Sequence, residues 1–241
     1  MPSSSKRLRS RVASVALRTY LKFEWARRSN FVVSGYPKSG TTWVTQLAAQ
    51  LAGLKYNQGD VRFRLQGAAL HTHGTSFEGQ TNILYVLRDP RESVCSAARA
   101  MTALNRPGVL DDNGQVTDDF VTFAMNTLPG ARQSMRDHLQ SGIDGGWRFV
   151  RFEDLKADPQ QSLVELSEHF GWAASHEDIK AAIEAFDFGR QRERNKGNVF
   201  FAQSSLASWT GLLGPMALDR LEAEVGKQAM AYGYDLSSRP A

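Results

Sequence analysis

Residues Phe31-Val32-Val33-Ser34-Gly35-Tyr36-Pro37-Lys38-Ser39-Gly40-Thr41-Thr42-Trp43 constrain the chain more than any other stretch. A β-branched apolar run enters a turn rich in Gly, Ser and Thr, and an apolar helical pattern leaves it. Strand, glycine turn and helix N-terminus together make a phosphate-cradling loop. Glycine lets backbone N–H groups close on an anion, and the helix end adds roughly half a positive charge. A nucleoside-triphosphate loop follows the pattern G-x-x-x-x-G-K-[ST]. Here Gly35 and Gly40 keep that spacing, but Thr41-Thr42 follow, and the lysine of the loop, Lys38, precedes the second glycine. A displaced lysine implies a different reacting group.

Apolar periodicity predicts helices over 10–27, 41–54, 90–104, 118–140, 160–171, 175–185 and 215–231. Strands are predicted at 31–34, 82–87 and 147–151, with a weaker one near 61–65. Ile83–Leu87 is continuously apolar, as a strand buried on both faces should be. Alternating strands and helices predict an α/β fold, a three-layer α/β/α arrangement around a central parallel sheet. In such sheets ligands bind beyond the carboxyl ends of strands, where both the glycine loop and Arg88 fall. Asn105–Asp119 and Arg190–Ser208 read as long loops, which in a compact domain are usually functional or mobile.

Charge is unevenly spread. Residues 1–30 hold eight Lys/Arg against Glu24 alone, a balance of +7, so with +4 overall the remaining 211 residues carry −3. The basic character belongs to an N-terminal arm (1–30), expected to be helical, with 31–241 forming one domain. That distribution argues against a nucleic-acid binder with a broad basic face. Val12, Val15, Ala16, Tyr20 and Leu21 line one helical face, suited to a surface helix packed on the domain or to peripheral contact with an anionic membrane. Val12–Leu17 is too short for a secretory signal and runs into Arg18. No run of 18 apolar residues exists to span a membrane. A single cysteine, Cys95, rules out an internal disulfide and fits a reducing, cytoplasmic setting; buried packing is expected for it.

The octet Tyr36–Trp43 resembles the 5′-phosphosulfate loop of sulfotransferases that use 3′-phosphoadenosine 5′-phosphosulfate (PAPS). The resemblance implies the P-loop-NTPase-like sulfotransferase fold and transfer of a sulfuryl group from PAPS to an acceptor hydroxyl or amine. The product would be 3′-phosphoadenosine 5′-phosphate. It implies that Pro37, Lys38, Ser39, Gly40, Thr41 and Thr42 hold the 5′-phosphate, that Lys38 stabilises the leaving phosphate, and that Trp43 stacks on adenine. No metal is called for, since lysine and helix N–H groups do what magnesium does for triphosphates.

Two further segments extend the resemblance. Arg88-Asp89-Pro90-Arg91-Glu92-Ser93-Val94-Cys95-Ser96 follows the second buried strand and is similar to the family's 3′-phosphate motif, which implies that Arg88 and Ser96 hold that phosphate. Arg194-Asn195-Lys196-Gly197, with Ser208-Trp209 after it, resembles a late R-K-G element; Arg194, Lys196 and Gly197 are the counterparts, with Asn195 where arginine is expected. His71-Thr72-His73 resembles a K-T-H tripeptide. Aligned on the threonine, His73 becomes the general base, a role that suits histidine near neutral pH, and His71 stands at the lysine position.

Phe152-Glu153-Asp154-Leu155 resembles a Y-E-D-L element without its hydroxyl, and Glu153 and Asp154 read as loop-ordering residues before Pro159. His138, His169 and His176 fall in predicted helices and are expected at the surface. The competing kinase-like reading needs a lysine after the second glycine and an aspartate ending a strand; Thr41 and Arg88 occupy those positions. A non-catalytic nucleotide-binding protein has no use for Lys38 and His73. The resemblance runs from Phe31 to Tyr232-Gly233-Tyr234-Asp235. It leaves 1–30 and 102–145 unmatched, the stretches that would select the acceptor, so the sequence does not identify it: a small-molecule alcohol, a phenol, a glycan and a natural-product scaffold all stay open.

Overall fold

The computed structural model describes residues 30–57, 67–77, 80–187 and 209–239. The predicted helix over 10–27, the strand near 61–65 and the Arg190–Ser208 loop lie outside the described residues. The chain divides into two compact units that alternate along it, changing over at Gly35/Tyr36, Gly40/Thr41, Val86/Leu87, Gly146/Trp147 and Phe186/Asp187.

The first unit carries the sheet. Its strands are β1 (Phe31–Ser34), β2 (Lys55–Asn57), β3 (Ala68–Thr72), β4 (Ile83–Leu87, whose last residue counts with the second unit) and β5 (Arg148–Arg151). They run in the order β2-β3-β1-β4-β5. β1 pairs in parallel with β3 and with β4, and β2 in parallel with β3. Both β1 and β4 are buried at every residue, the mark of interior strands of a parallel sheet. Val32, Ala68, Leu70 and Ile83 form a core cluster to which Phe77 and Trp147 add. Helix α1 (Thr41–Leu51) packs on β1, β2 and β3. Helices α5 (Phe152–Ala157), α6 (Pro159–Phe170) and α7 (His176–Ala185) follow β5, and α7 reaches back to α1. Asp158 caps α6 by accepting from Gln161 N, and Ser175 with Asp178 closes a capping box on α7. Glu153 and Asp154 sit in the first turn of α5, where Asp154 pairs with Arg151 at 2.7 Å.

The second unit is helical: α2 (Pro90–Ala103), α3 (Asp118–Asn126), α4 (Met135–Gly145), α8 (Trp209–Leu212) and α9 (Pro215–Ala231). α9 packs on α2, α3 and α4. Asp89 caps α2, accepting from Arg91 N, with Pro90 in the first turn where a missing N–H costs nothing. The single helix predicted over 118–140 is two helices. Pro129 disfavours a helical Leu128, Gly130 takes φ +97, and Ser134 starts α4 afresh by accepting from Asp137 N. The split moves His138 indoors: it shares a buried stripe with Met135, Leu139 and Gly142 and is 0% exposed, contrary to the surface position expected. His169 and His176 are exposed as expected, and Cys95 is buried. No helix among the described residues is long and apolar enough to cross a membrane.

Candidate active site

The glycine loop opens at the carboxyl end of β1, and Gly35 has no room for a side chain. A Cβ there would lie 2.6 Å from the Val86 carbonyl oxygen and 3.1 Å from Thr41 Oγ1. Gly35→Ala is therefore expected to lower stability by about 1–3 kcal/mol, read by urea unfolding. Gly74→Ala, whose nearest neighbour would be 3.5 Å away, should be close to neutral. Equal stability of the two variants would remove the steric argument.

Within the first unit, the ends of β1 and β3 bring His71 and His73 beside Gly35. Val33 is in register with His71 and Ser34 with Thr72. The turn after β3 is fixed by Ser34 Oγ donating to the Gly74 carbonyl at 2.7 Å and Gly74 N–H donating to Thr72 Oγ1 at 3.0 Å. His73 Nδ1 lies 2.7 Å from the Gly35 carbonyl oxygen. A carbonyl can only accept, so Nδ1 carries the proton, and in neutral His73 the lone pair is on Nε2. The His71 ring meets His73 edge-on with centroids 4.8 Å apart. Burial, aided by the neighbouring His73, pushes the His71 pKa down to about 3, so His71 is neutral at working pH. Its buried Nε2 has no hydrogen-bond partner among the described residues.

Helix α1 starts at Thr41, directly after Gly40 at φ +87. The buried Thr41 Oγ1 likewise has no partner among the described residues. Trp43 is 7% exposed; its indole N–H donates to the Phe186 carbonyl at 2.7 Å and its ring meets Phe152 edge-on.

The second unit holds Tyr36–Gly40 and Arg88. Tyr36 anchors the loop: its hydroxyl donates to the Ala124 carbonyl at 2.7 Å, and its ring stands edge-on to His138 at 5.6 Å. Ser39 N–H closes a turn on the Tyr36 carbonyl at 3.1 Å. Lys38 has φ +76, a left-handed conformation that costs an L-residue roughly 1–2 kcal/mol. Arg88 Nη1 donates to the Lys38 carbonyl at 3.2 Å. Burial first, and the Arg88 charge second, lower the Lys38 pKa to about 8. Pro37 and Ser39 are buried, while Lys38, Gly40, Thr42, Arg88 and Ser96 are half-buried.

Helix α2 carries the other charges of this unit. Arg91 is locked on Asp89 at 2.8 Å, reaches the Ser238 carbonyl, and lies over the Trp209 ring at 4.1 Å. Glu92, given no role from the sequence alone, faces both Arg88 and Arg99 and accepts the Trp209 backbone N–H at 3.2 Å. Continuing the Arg88–Ser96 spacing by one helical turn would have reached Arg99. Arg194, Lys196 and Gly197 lie outside the described residues.

Comparison with known proteins gives one family. Human sulfotransferase 6B1 is 20% identical over 86% of this chain and 78% of its own length. Its zebrafish (Danio rerio) namesake is 24% identical over 78% of this chain and 74% of its own. Among solved structures, mouse sulfotransferase SULT7A1 complexed with PAP superposes with a TM-score of 0.65 at 17% identity, covering 88% of this chain and 87% of the other. Retinol dehydratase, in complex with androsterone and the inactive cofactor PAP, gives 0.61 at 14% identity, covering 83% and 80%. These two establish a shared fold, as the parallel sheet and the phosphate loop led one to expect. The model of the sulfotransferase domain matches residues 65–208, more than half of the chain, and with that match the protein belongs to the sulfotransferase family.

Proposed function

We propose that the protein transfers the sulfuryl group of PAPS to a hydroxyl or amine of a small acceptor, leaving 3′-phosphoadenosine 5′-phosphate. The observation that carries this reading is the lysine ahead of the second loop glycine. Lys38 is kept in left-handed backbone with its carbonyl on Arg88 and its pKa lowered to about 8. Strain and buried charge at one residue cluster at sites of chemistry. PAP in two structural neighbours supports PAPS as the donor here.

The residues present fit such a donor. Thr41 Oγ1, buried at the start of α1 and without a partner among the described residues, would be satisfied by a 5′-phosphate oxygen. The backbone N–H groups of Ser39–Thr42 at the helix N-terminus favour the same anion. The donor supplies an already activated sulfuryl group, so the protein's task is positioning and charge stabilisation. Lys38 would offset negative charge building on the leaving phosphate. His73, with its proton fixed on Nδ1 by the Gly35 carbonyl, would take the acceptor's proton on Nε2. His71, neutral, would leave that role to His73. Arg88 and Ser96 would hold the 3′-phosphate; Arg194, Lys196 and Gly197 join them by resemblance alone.

The test is turnover of the full chain with PAPS and a panel of phenols, alcohols, glycans and amines, beside ATP with magnesium. Release of 3′-phosphoadenosine 5′-phosphate dependent on an acceptor is the expected result. Consumption of ATP with no reaction of PAPS would overturn the reading in favour of a kinase-like transferase.

A further inference from the structure

Lys38 stands in a conformation that an L-residue does not choose. Left-handed backbone of this kind persists only where the surrounding structure over-determines it. Within the second unit the loop is fastened around Lys38 and at Lys38 itself. The Tyr36 hydroxyl donates to the Ala124 carbonyl at 2.7 Å, and Ser39 N–H donates to the Tyr36 carbonyl at 3.1 Å. Arg88 Nη1 donates to the carbonyl of the strained residue, at 3.2 Å. The peptide group is planar, so a carbonyl held in place fixes ψ of its residue. With φ set by the turn, the direction in which the lysine side chain leaves the backbone is then set too.

Arg88 is well supported for that task. It directly precedes Asp89, the cap of α2. Its Nη2 lies 3.5 Å from Glu92 Oε2, while Glu92 Oε1 accepts the Trp209 backbone N–H at 3.2 Å. A guanidinium is planar, so contacts on both terminal nitrogens set its plane as well as its place. The Arg88 side chain is 18% exposed, and a hydrogen bond so shielded is stronger than one in water.

We propose that Arg88 is a positioning residue for Lys38: through the Lys38 carbonyl it holds the left-handed backbone from which the lysine serves the leaving phosphate. The proposal rests on the PAPS reading above and adds to the 3′-phosphate contact that Arg88 has by resemblance. The two roles predict different losses. A residue that only binds the 3′-phosphate, equally in ground and transition states, lowers donor affinity and leaves the rate at saturation intact. One that aims the lysine lowers the rate at saturation, since a misplacement of about 1 Å can cost on the order of 10²-fold.

Single-turnover transfer at saturating PAPS, to the fastest acceptor of the panel above, tests this on the parent, on Arg88→Lys and on Arg88→Met. Arg88→Lys keeps the charge and protects the fold, but an ammonium lacks the planar fork that spans the carbonyl and Glu92. Its rate at saturation should fall about 10- to 100-fold, beyond any loss of PAPS affinity. The alkaline limb of its kcat/KM profile should stay near pH 8, because a positive charge still faces Lys38. Arg88→Met should be as slow, with that limb moved above 8: the Arg88 repulsion is gone, while burial, the larger cause, stays. Parental rates at saturation in both variants, with PAPS affinity alone reduced, would overturn the positioning role and leave Arg88 a phosphate ligand. A slow Arg88→Met whose limb stays at about 8 would mark unspecific damage and overturn it as well. A parent that transfers from PAPS to no member of the panel would remove the donor reading, and this role with it.

Discussion

Replacing Lys38 by glycine is expected to cut turnover by about 10²–10³-fold, the loss typical of removing one preorganised charge-stabilising group, while leaving the protein more stable than the parent. The two halves of this expectation have separate causes. At φ +76 an L-residue is strained, and glycine removes that strain, worth about 1 kcal/mol. Glycine also removes an ammonium whose pKa is lowered from 10.5 to about 8, chiefly by burial. In the parent, the unfolded chain holds the Lys38 proton to higher pH than the folded chain does. The burial penalty is therefore in full force below about 8 and is relieved as pH rises toward 10.5. Urea unfolding should show the parent gaining stability over that window relative to Lys38→Gly. Catalysis runs the other way: kcat/KM of the parent should descend above pH about 8 as Lys38 loses its proton. Lys38→Ala should be equally inactive but less stable than Lys38→Gly, because alanine keeps the strain. Binding of adenosine 3′,5′-bisphosphate should weaken far less than turnover. A glycine variant with near-parental turnover would take the lysine out of the chemistry. A residue that is destabilising where it stands is a stability–function trade-off, held in place by the rest of the loop.

The legible parts of the fold were those specified by local sequence. Phe31–Ser34 and Ile83–Leu87 are apolar runs of strand length beside turn residues, and both are interior strands. Helix α2 was legible from Asp89-Pro90, and α6 from Pro159, because caps act within a few residues. Strand β3 was not. Ala68-Ala69-Leu70 has no β-branched residue, and its extended state comes from pairing with β1 and β2, a tertiary effect invisible to a window. This matters for the site, since β3 delivers His71 and His73. The tripeptide pattern marked the histidines, but not the Gly35 carbonyl that fixes the tautomer of His73. The break between α3 and α4 was legible in principle from Pro129, Gly130 and Ser134. Missing it also hid His138, whose neighbours on the buried stripe are clear only once α4 begins at Met135. Arg88 and Ser96 were found as a spaced pair; Glu92 and Arg99 needed the side-chain contacts.

Replacing His73 by alanine is expected to lower transfer by about 10²–10⁴-fold, the usual contribution of a positioned general base, and to leave nucleotide affinity nearly intact. The expectation follows from which nitrogen is committed. Nδ1–H is engaged by the Gly35 carbonyl at 2.7 Å, so a proton from the acceptor can go only to Nε2. His71 is adjacent, yet burial holds its pKa at about 3, and a base that weak takes little of a proton near pH 7. His71→Ala should therefore retain most of the activity. His73→Asn provides the finer test, because an asparagine amide can still donate a hydrogen bond as Nδ1 does but has no basic nitrogen. It should keep the stability of the parent and the affinity for adenosine 3′,5′-bisphosphate, and still fail to transfer. The acid limb of the parental kcat/KM profile, which reports protonation of the base, should be missing from the residual activity of either His73 variant. If His71→Ala were the inactive protein and His73→Ala the active one, proton transfer would have to run through Nε2 of His71, which has no hydrogen-bond partner among the described residues, and the threonine-based alignment of the tripeptide would be wrong.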